Sequence, residues 1–383
     1  MENRLGNQVR EYFQELQKNL LDSRDKGGQK HNLAFVLTSF LMAVLRTTGH
    51  LDLSYIHRRM VKEHDLMVKD TAYKALRCIS YVQLGRVLDS VDYEAFNRLN
   101  DAYFEVNLEQ IADDWYAVDG KELRGNIDRV SAEKRGENIV KSVSHEDFSS
   151  QVIGFYHGAK DSEKTVVQHY FTRQESIESA YSFDALHTCP QLLESIDSKG
   201  GIYLAQVKNN QKLLLEECIH MVQYSPFDYD FEQIEKAHGR IEIRRTAIYP
   251  LDVDYLDERW RNSGIQTLIA VHRQRTSVKN SKFSQEVACF VSNKIASNEF
   301  IGLELFAGVR NHWSVESDNY VKDVTMGEDY IRCKYSHRIR AIASVFNLAL
   351  NLIRKKNITN NIRVVREDFN FDRQKAKDCL SRS

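Results

Sequence analysis

Two aspartates in this 383-residue chain close short apolar runs: Asp119 ends WYAVD, and Asp184 ends YSFD. If those runs are adjacent strands, their carboxylates meet. A third acid, Glu316, stands in RNHWSVES with His312 one helical turn before it. Three acids from separate elements can converge on a divalent cation, and oxygen ligands with no cysteine among them suit Mg²⁺ or Mn²⁺ better than zinc. Two such ions about 3.5–4 Å apart activate a water or a 3′-hydroxyl and stabilise the leaving oxygen of a phosphodiester. Taken singly, an aspartate before glycine at a strand end is more often a turn residue, and spacing alone does not overcome that. Asp119 and Asp184 could also serve as the acid and base of a glycoside hydrolase, which would have no use for Glu316.

Cations and aromatics surround these acids in the sequence. Lys121 and Arg124 follow Asp119 closely enough to position a phosphate, or form plain surface charge. His187, three residues after Asp184, could hold DNA or orient water; a hydrogen-bonded structural histidine is the alternative. In HGRIEIRR, alternation places Arg240, Glu242 and Arg244 on one strand face, beside His238. Arg310, His312 and Trp313 precede Glu316, with His312 and Glu316 spaced to share a helical face. Trp313 could stack on a base or sit in a core.

These residues need elements to hold them. Residues 1–110 contain no proline, and apolar positions recur at three and four, which predicts an N-terminal helical domain. Its expected loop, DSRDKGGQKHN, precedes the apolar helix LAFVLTSFLMAVL at 33–45. From about residue 113 the runs become short and β-like, giving three strands in meander order, then strand, helix and strand with parallel pairing through residue 211. Residues 216–300 read as a β-rich inserted subdomain, 301–356 as returning helices, and 357–383 as a basic tail.

Composition bounds the partners. The net charge of −1 hides uneven segments: Lys+Arg against Asp+Glu is 15 to 15 over residues 1–110, 25 to 35 over 111–330 and 13 to 4 over 331–383. The basic end, including residues 354–356, Arg363 and Arg366, could track phosphates or merely solubilise. Six cysteines scattered singly indicate neither a zinc knuckle nor a disulfide framework, and a reducing cytosol is the simplest home. The longest apolar run is too short to span a membrane.

The run AVDGKELRGN resembles the first-aspartate motif of DDE insertion-sequence transposases, in the branch of the H-repeat-associated proteins. In order, DALHT at 184–188 is similar to their second-aspartate motif, and YLAQVKNNQKLL to a following strand that brings in Lys208. HGRIEIR is similar to a His-Gly-Arg signature, and RNHWSVES with DVTMGED to the glutamate motif. The resemblance covers residues 20 to 350. It implies an RNase H-like catalytic core, a mixed sheet flanked by helices, with a β-rich insertion and an N-terminal helical domain. It also implies Asp119, Asp184 and Glu316 as a catalytic triad holding Mg²⁺ or Mn²⁺, and metal-dependent cleavage of double-stranded DNA at element ends followed by strand transfer. Lys121, Arg124, His187, Lys208, His238, Arg240, Arg310, His312 and Trp313 become candidate DNA contacts. A bacterial, cytoplasmic, nucleoid-associated homo-oligomer is expected. Ser317 replaces the asparagine common after the glutamate, and Asn209 replaces a glycine. A catalytically silent DNA-binding protein with the same fold is therefore the alternative.

Overall fold

The computed structural model describes residues 7–49, 52–75, 77–106, 114–127, 135–158, 160–237, 239–356 and 361–382. The N-terminal part is helical: α1 (Gln8–Asn19), α2 (Leu33–Arg46), α3 (Leu53–Lys62), α4 (His64–Thr71), α5 (Tyr81–Asp89) and α6 (Tyr93–Phe104). Every residue of α2 is buried, so the apolar run is a core helix with the others packed around it. Asn32 starts it by accepting the Phe35 N–H at 2.9 Å, which satisfies one of the unpaired donors of the first turn.

Nine strands follow: β1 (Trp115–Glu122), β2 (Glu137–Ser144), β3 (Ser150–His157), β4 (Ala180–Phe183), β5 (Ile202–Val207), β6 (Tyr229–Ala237), β7 (Arg240–Pro250), β8 (Thr267–Ser277) and β9 (Phe283–Ser292). Between and after them come α7 (Lys160–Arg173), α8 (Pro190–Asp197), α9 (Lys212–Tyr224), α10 (Glu299–Asn311), α11 (Ser314–Tyr320), α12 (Ser336–Lys356), α13 (Ile362–Phe371) and α14 (Arg373–Asp378). The result is a mixed α/β fold on one sheet of order β3-β2-β1-β4-β5-β9-β8-β7-β6. The meander β1-β2-β3 is antiparallel, whereas β4 and β5 run parallel to β1 through their helical crossovers.

The block expected as an inserted subdomain is joined to this sheet. β9 pairs antiparallel with β5, from Leu204 opposite Ser292 to Val207 opposite Cys289, so β6 to β9 extend the sheet instead of forming a second one. The reason is burial: Ile248, Leu268, Ile269 and Val291 near β5 are fully covered, and only a shared sheet gives them two packed faces. The far ends of β7 and β8 run past this core as a polar arm.

One helix ties the parts together. α12 is buried at Ile339 and from Ala341 to Ile353 and packs on α2, α5 and α6 as well as on β2 and β3, so the helical part and one sheet face share a core. The segment expected as a basic tail folds into α13 and α14 against α2. Arg366, in that segment, is 2% exposed and donates to the carbonyls of Thr325, at 2.6 Å, and Thr47. Arg354 donates to Asp318 and to the Phe148 carbonyl, both at 2.5 Å. Neither is available to track phosphates, because each balances buried oxygen acceptors. No helix among the described residues is long and apolar enough to cross a membrane.

Candidate active site

Val118 and Phe183 are register partners in the parallel β1–β4 pair, so Asp119 and Asp184 are the next residue of each chain. Beyond them β1 keeps only β2 as neighbour and β4 ends. The crevice outside the carboxyl ends of parallel strands is where open α/β sheets place their ligands. Asp184 also does the turn work its position suggested: Oδ1 accepts the Leu186 N–H at 2.8 Å.

Side chains alternate along β1 and sort onto two faces. Val118 enters the core beneath α7 with Val167 and Phe171, while Ala117 lies against Val315 of α11 and Val143. Asp119 and Lys121 therefore share the α11 face and Gly120 faces α7. Because Gly120 has no side chain, Glu163 of α7 fills that space: a Cβ at 120 would lie 2.4 Å from Glu163 Cδ. Glu163 accepts the Tyr156 hydroxyl at 2.6 Å and meets His187 Nε2 at 3.0 Å. Burial pushes the Asp119 carboxyl up to about 7, and the charges of Glu163 and then Asp184 push in the same direction.

Glu316 is exposed on α11, whose seat over β1 and β2 is set by Val315 and Asp318, both buried. Its helix thus covers the face that carries Asp119. Among the described residues no three His, Cys, Asp or Glu side chains are gathered as a metal-ligand set. The donors at hand are nonetheless carboxylates, and the crowding of Asp119 by two others is the arrangement a divalent cation relieves.

His312 and Glu316 do not share a surface. α10 ends at Asn311 and α11 starts at Ser314, and the His312 ring turns inward, with Nδ1 at 2.9 Å from Ser182 Oγ. Ser182 Oγ also meets His145 Nε2 at 3.0 Å. Burial lowers His312 to about 4 and His145 to about 3, so both rings are neutral near pH 7 and brace α10 against β4.

The other candidates divide by partner. Lys121 is buried with its ammonium between Asp323 and Glu328. Burial alone would lower its pKa, but those two carboxylates raise it, so it is a structural cation and not a phosphate contact. His187 is buried on Glu163, as the structural alternative has it. Arg124 is exposed, 4.0 Å from Asp329, and Lys208 is exposed just past β5. Arg240, Arg310 and Trp313 line a common cleft. His238 lies outside the described residues.

Sequence reasoning missed Glu163, Tyr156 and Lys141. Lys141 pairs with Asp119 across β1–β2, and its fully buried ammonium meets Asp318 and Asn319 Oδ1 at 2.8 Å. A lysine inside the β-run NIVKSVS was the available signal for it. No signal marked Glu163 within the polar start of α7.

The chain is 25% identical over 348 residues to the protein named "Putative transposase YncI" of Escherichia coli O157:H7, covering 87% of this chain and 85% of that one. It is 24% identical over 349 residues to "H repeat-associated putative transposase YhhI" of Escherichia coli strain K12, covering 87% of each. It is equally similar to "Putative protein YbfL" of the same strain. No family model matches the chain. The resemblance to the H-repeat-associated branch, first drawn from short motifs, thus extends over most of the chain.

Proposed function

We propose that this chain is a DNA transposase that cleaves the ends of its own element and joins them to target DNA. The observation that carries the reading is the in-register placement of Asp119 and Asp184 at the diverging ends of β1 and β4, with Asp119 on the face covered by the helix of Glu316. The order β3-β2-β1-β4-β5, an antiparallel meander followed by two parallel strands with helices on both faces, supports an RNase H-like core. Similarity to proteins named as transposases supports DNA as substrate.

Asp119 and Asp184, joined by Glu316, would hold Mg²⁺ or Mn²⁺. When bound, the cations would supply charge stabilisation for an in-line displacement at phosphorus. The chain's own residues prepare that site. Glu163, held by Tyr156 and His187, keeps negative charge behind Asp119. The pair Ser182 and His312 fixes α10, and with it the start of α11, against β4. Water first attacks the phosphodiester at the element end, breaking the bond to the 3′-oxygen and freeing a 3′-hydroxyl. That hydroxyl then attacks a target phosphodiester, forming one bond as another breaks. Because two ends must be cut and joined together, a homo-oligomer is part of the proposal.

The test is nicking of duplexes that carry the inverted repeats flanking the gene. Cleavage should require Mg²⁺ or Mn²⁺ and disappear in Asp119→Asn, Asp184→Asn and Glu316→Gln. Specific binding without cleavage by the intact protein in either metal would overturn the enzyme reading in favour of a silent DNA-binding protein.

A further inference from the structure

The polar arm of β6, β7 and β8 carries a cleft that the catalytic reading leaves unused. Its volume is about 190 Å³, and Arg240, Arg244, Arg273, Arg275, Arg310 and Trp313 line it together with Glu235 and Glu242. Strand register builds it: Glu242 stands opposite Arg275 and Arg244 opposite Arg273 across β7–β8, and Glu235 stands opposite Glu242 across β6–β7. These side chains share one face of the arm, and the end of α10 brings Arg310 to it.

Glu242 is the hub. Buried at 3% exposure, it receives Arg244 Nη2 at 2.7 Å, Arg273 Nε at 3.2 Å, Arg240 Nη2 at 3.3 Å and Arg275 Nε at 3.5 Å. Glu235 takes Arg310 at 3.0 Å and Arg244 at 3.1 Å, and Glu286 takes Arg273 at 2.7 Å and Arg275 at 3.5 Å. Three carboxylates thus answer five guanidiniums. Positive charge is left over, and so is a donor: Arg244 Nε is buried without a hydrogen-bond partner. The Arg244 side chain is only 8% exposed. A buried unsatisfied donor is costly, and four guanidiniums fanned about Glu242, with Arg310 on Glu235 beside them, present forks suited to phosphate oxygens. The volume is below the roughly 300–1,000 Å³ of pockets for whole small ligands. The cleft lies beside the acids, because Arg310 and Trp313 flank His312, which touches Ser182 two residues before Asp184.

We infer that this cleft seats backbone phosphate of a DNA strand next to the point of cleavage, gripping the strand without reading its bases. The inference rests on the transposase reading for the identity of the polymer. Free phosphate shares the chemistry, and the experiment separates the two.

Binding of a fluorescent duplex of arbitrary sequence is measured by anisotropy across a salt series for three proteins: the intact chain, Arg240→Gln/Arg275→Gln and Arg245→Gln. Arg245 is 71% exposed on Glu232 and points to the opposite face of β7, so its variant controls for general charge loss. Each neutralised phosphate contributes about −0.9 to the slope of log K against log salt. The double variant should therefore bind at least about tenfold more weakly at low salt, with a slope shallower by about 2. Arg245→Gln should match the intact chain in affinity and slope, and all three should be folded by circular dichroism. Equal affinity and slope for the double variant and the intact chain would sink the cleft and leave the transposase reading standing. Failure of the intact chain to bind duplex at any salt would remove both. A third result would also overturn the inference: inorganic pyrophosphate quenching Trp313 fluorescence, with Trp313→Phe as blank, while duplex binding is indifferent to the double variant.

Discussion

Glu163 occupies the space that a side chain at Gly120 would need, with only 2.4 Å between its Cδ and the Cβ that Gly120 lacks. A carboxylate from α7 thereby reaches the neighbourhood of Asp119 through a gap in β1, and its bonds to Tyr156 and His187 hold it there.

Gly120→Ala should push Glu163 off those two partners. The expected cost is about 1–3 kcal/mol of stability, the usual penalty for overpacking, with cleavage lowered roughly 10–100-fold, as for lost supporting contacts in metal sites. In a Glu163→Ala background the same substitution should cost little stability. A double-mutant cycle by chemical denaturation measures the coupling, and additive effects would refute the steric account.

Asp119 gives the metal-free protein a pH signature. Its folded-state value of about 7, against an ordinary 3.8, means that the folded state holds the proton more tightly between those values. Stability therefore falls as pH climbs from about 4 to about 7 and stays lowered above that. Asp119→Asn should remove this loss and be more stable than the parent at pH 8 in chelator, by on the order of 2–4 kcal/mol. Mg²⁺ should stabilise the parent and not the variant. Thermal melts at pH 5 and pH 8, with and without metal, provide the check.

Asp318 is fully buried among Lys141, Lys322 and Arg354. Burial opposes its charge, but its basic neighbours, Lys141 foremost, prevail and hold its carboxyl far below the usual range, while burial lowers the pKa of Lys322. Asp318→Asn strands those cations in the core and should cost roughly 3–5 kcal/mol. A urea midpoint unchanged from the parent would show that the network carries no weight.

Arg366 should behave as a structural residue despite its place in the most basic part of the chain. Burial lowers its pKa to about 10, so it stays charged at neutral pH while donating to two carbonyls. Arg366→Gln should lower stability by about 1–3 kcal/mol and leave the salt slope of DNA binding unchanged. Arg363, exposed at 82%, should tolerate the same substitution with stability changed by less than about 0.5 kcal/mol.

The strands and helices around the acids were readable because their periodicities are local. WYAVD and YSFD are apolar runs closed by an acid, and helical spacing covers the first hundred residues. Sheet membership was not readable: Leu204 opposite Ser292 joins residues far apart in sequence, and a β-rich block between helices looks the same whether it pairs with β5 or stands apart. The charge count of the C-terminal segment misled for a related reason. It records how many cations are present, whereas their role depends on Asp318, Thr47 and Thr325, which folding brings to them.

By itself the sequence determined which residue types could do chemistry, the order of the elements and the likeness to transposases, since each is written in contiguous stretches. Tertiary structure alone decided which charges face one another. It set Glu163 behind Asp119 through the gap at Gly120, took Lys121 out of reach of any phosphate, turned His312 inward, and gathered four arginines about Glu242. Those outcomes depend on strand register and on burial, through which a distant carboxylate raises or neutralises a neighbour, and neither quantity exists until the chain has folded.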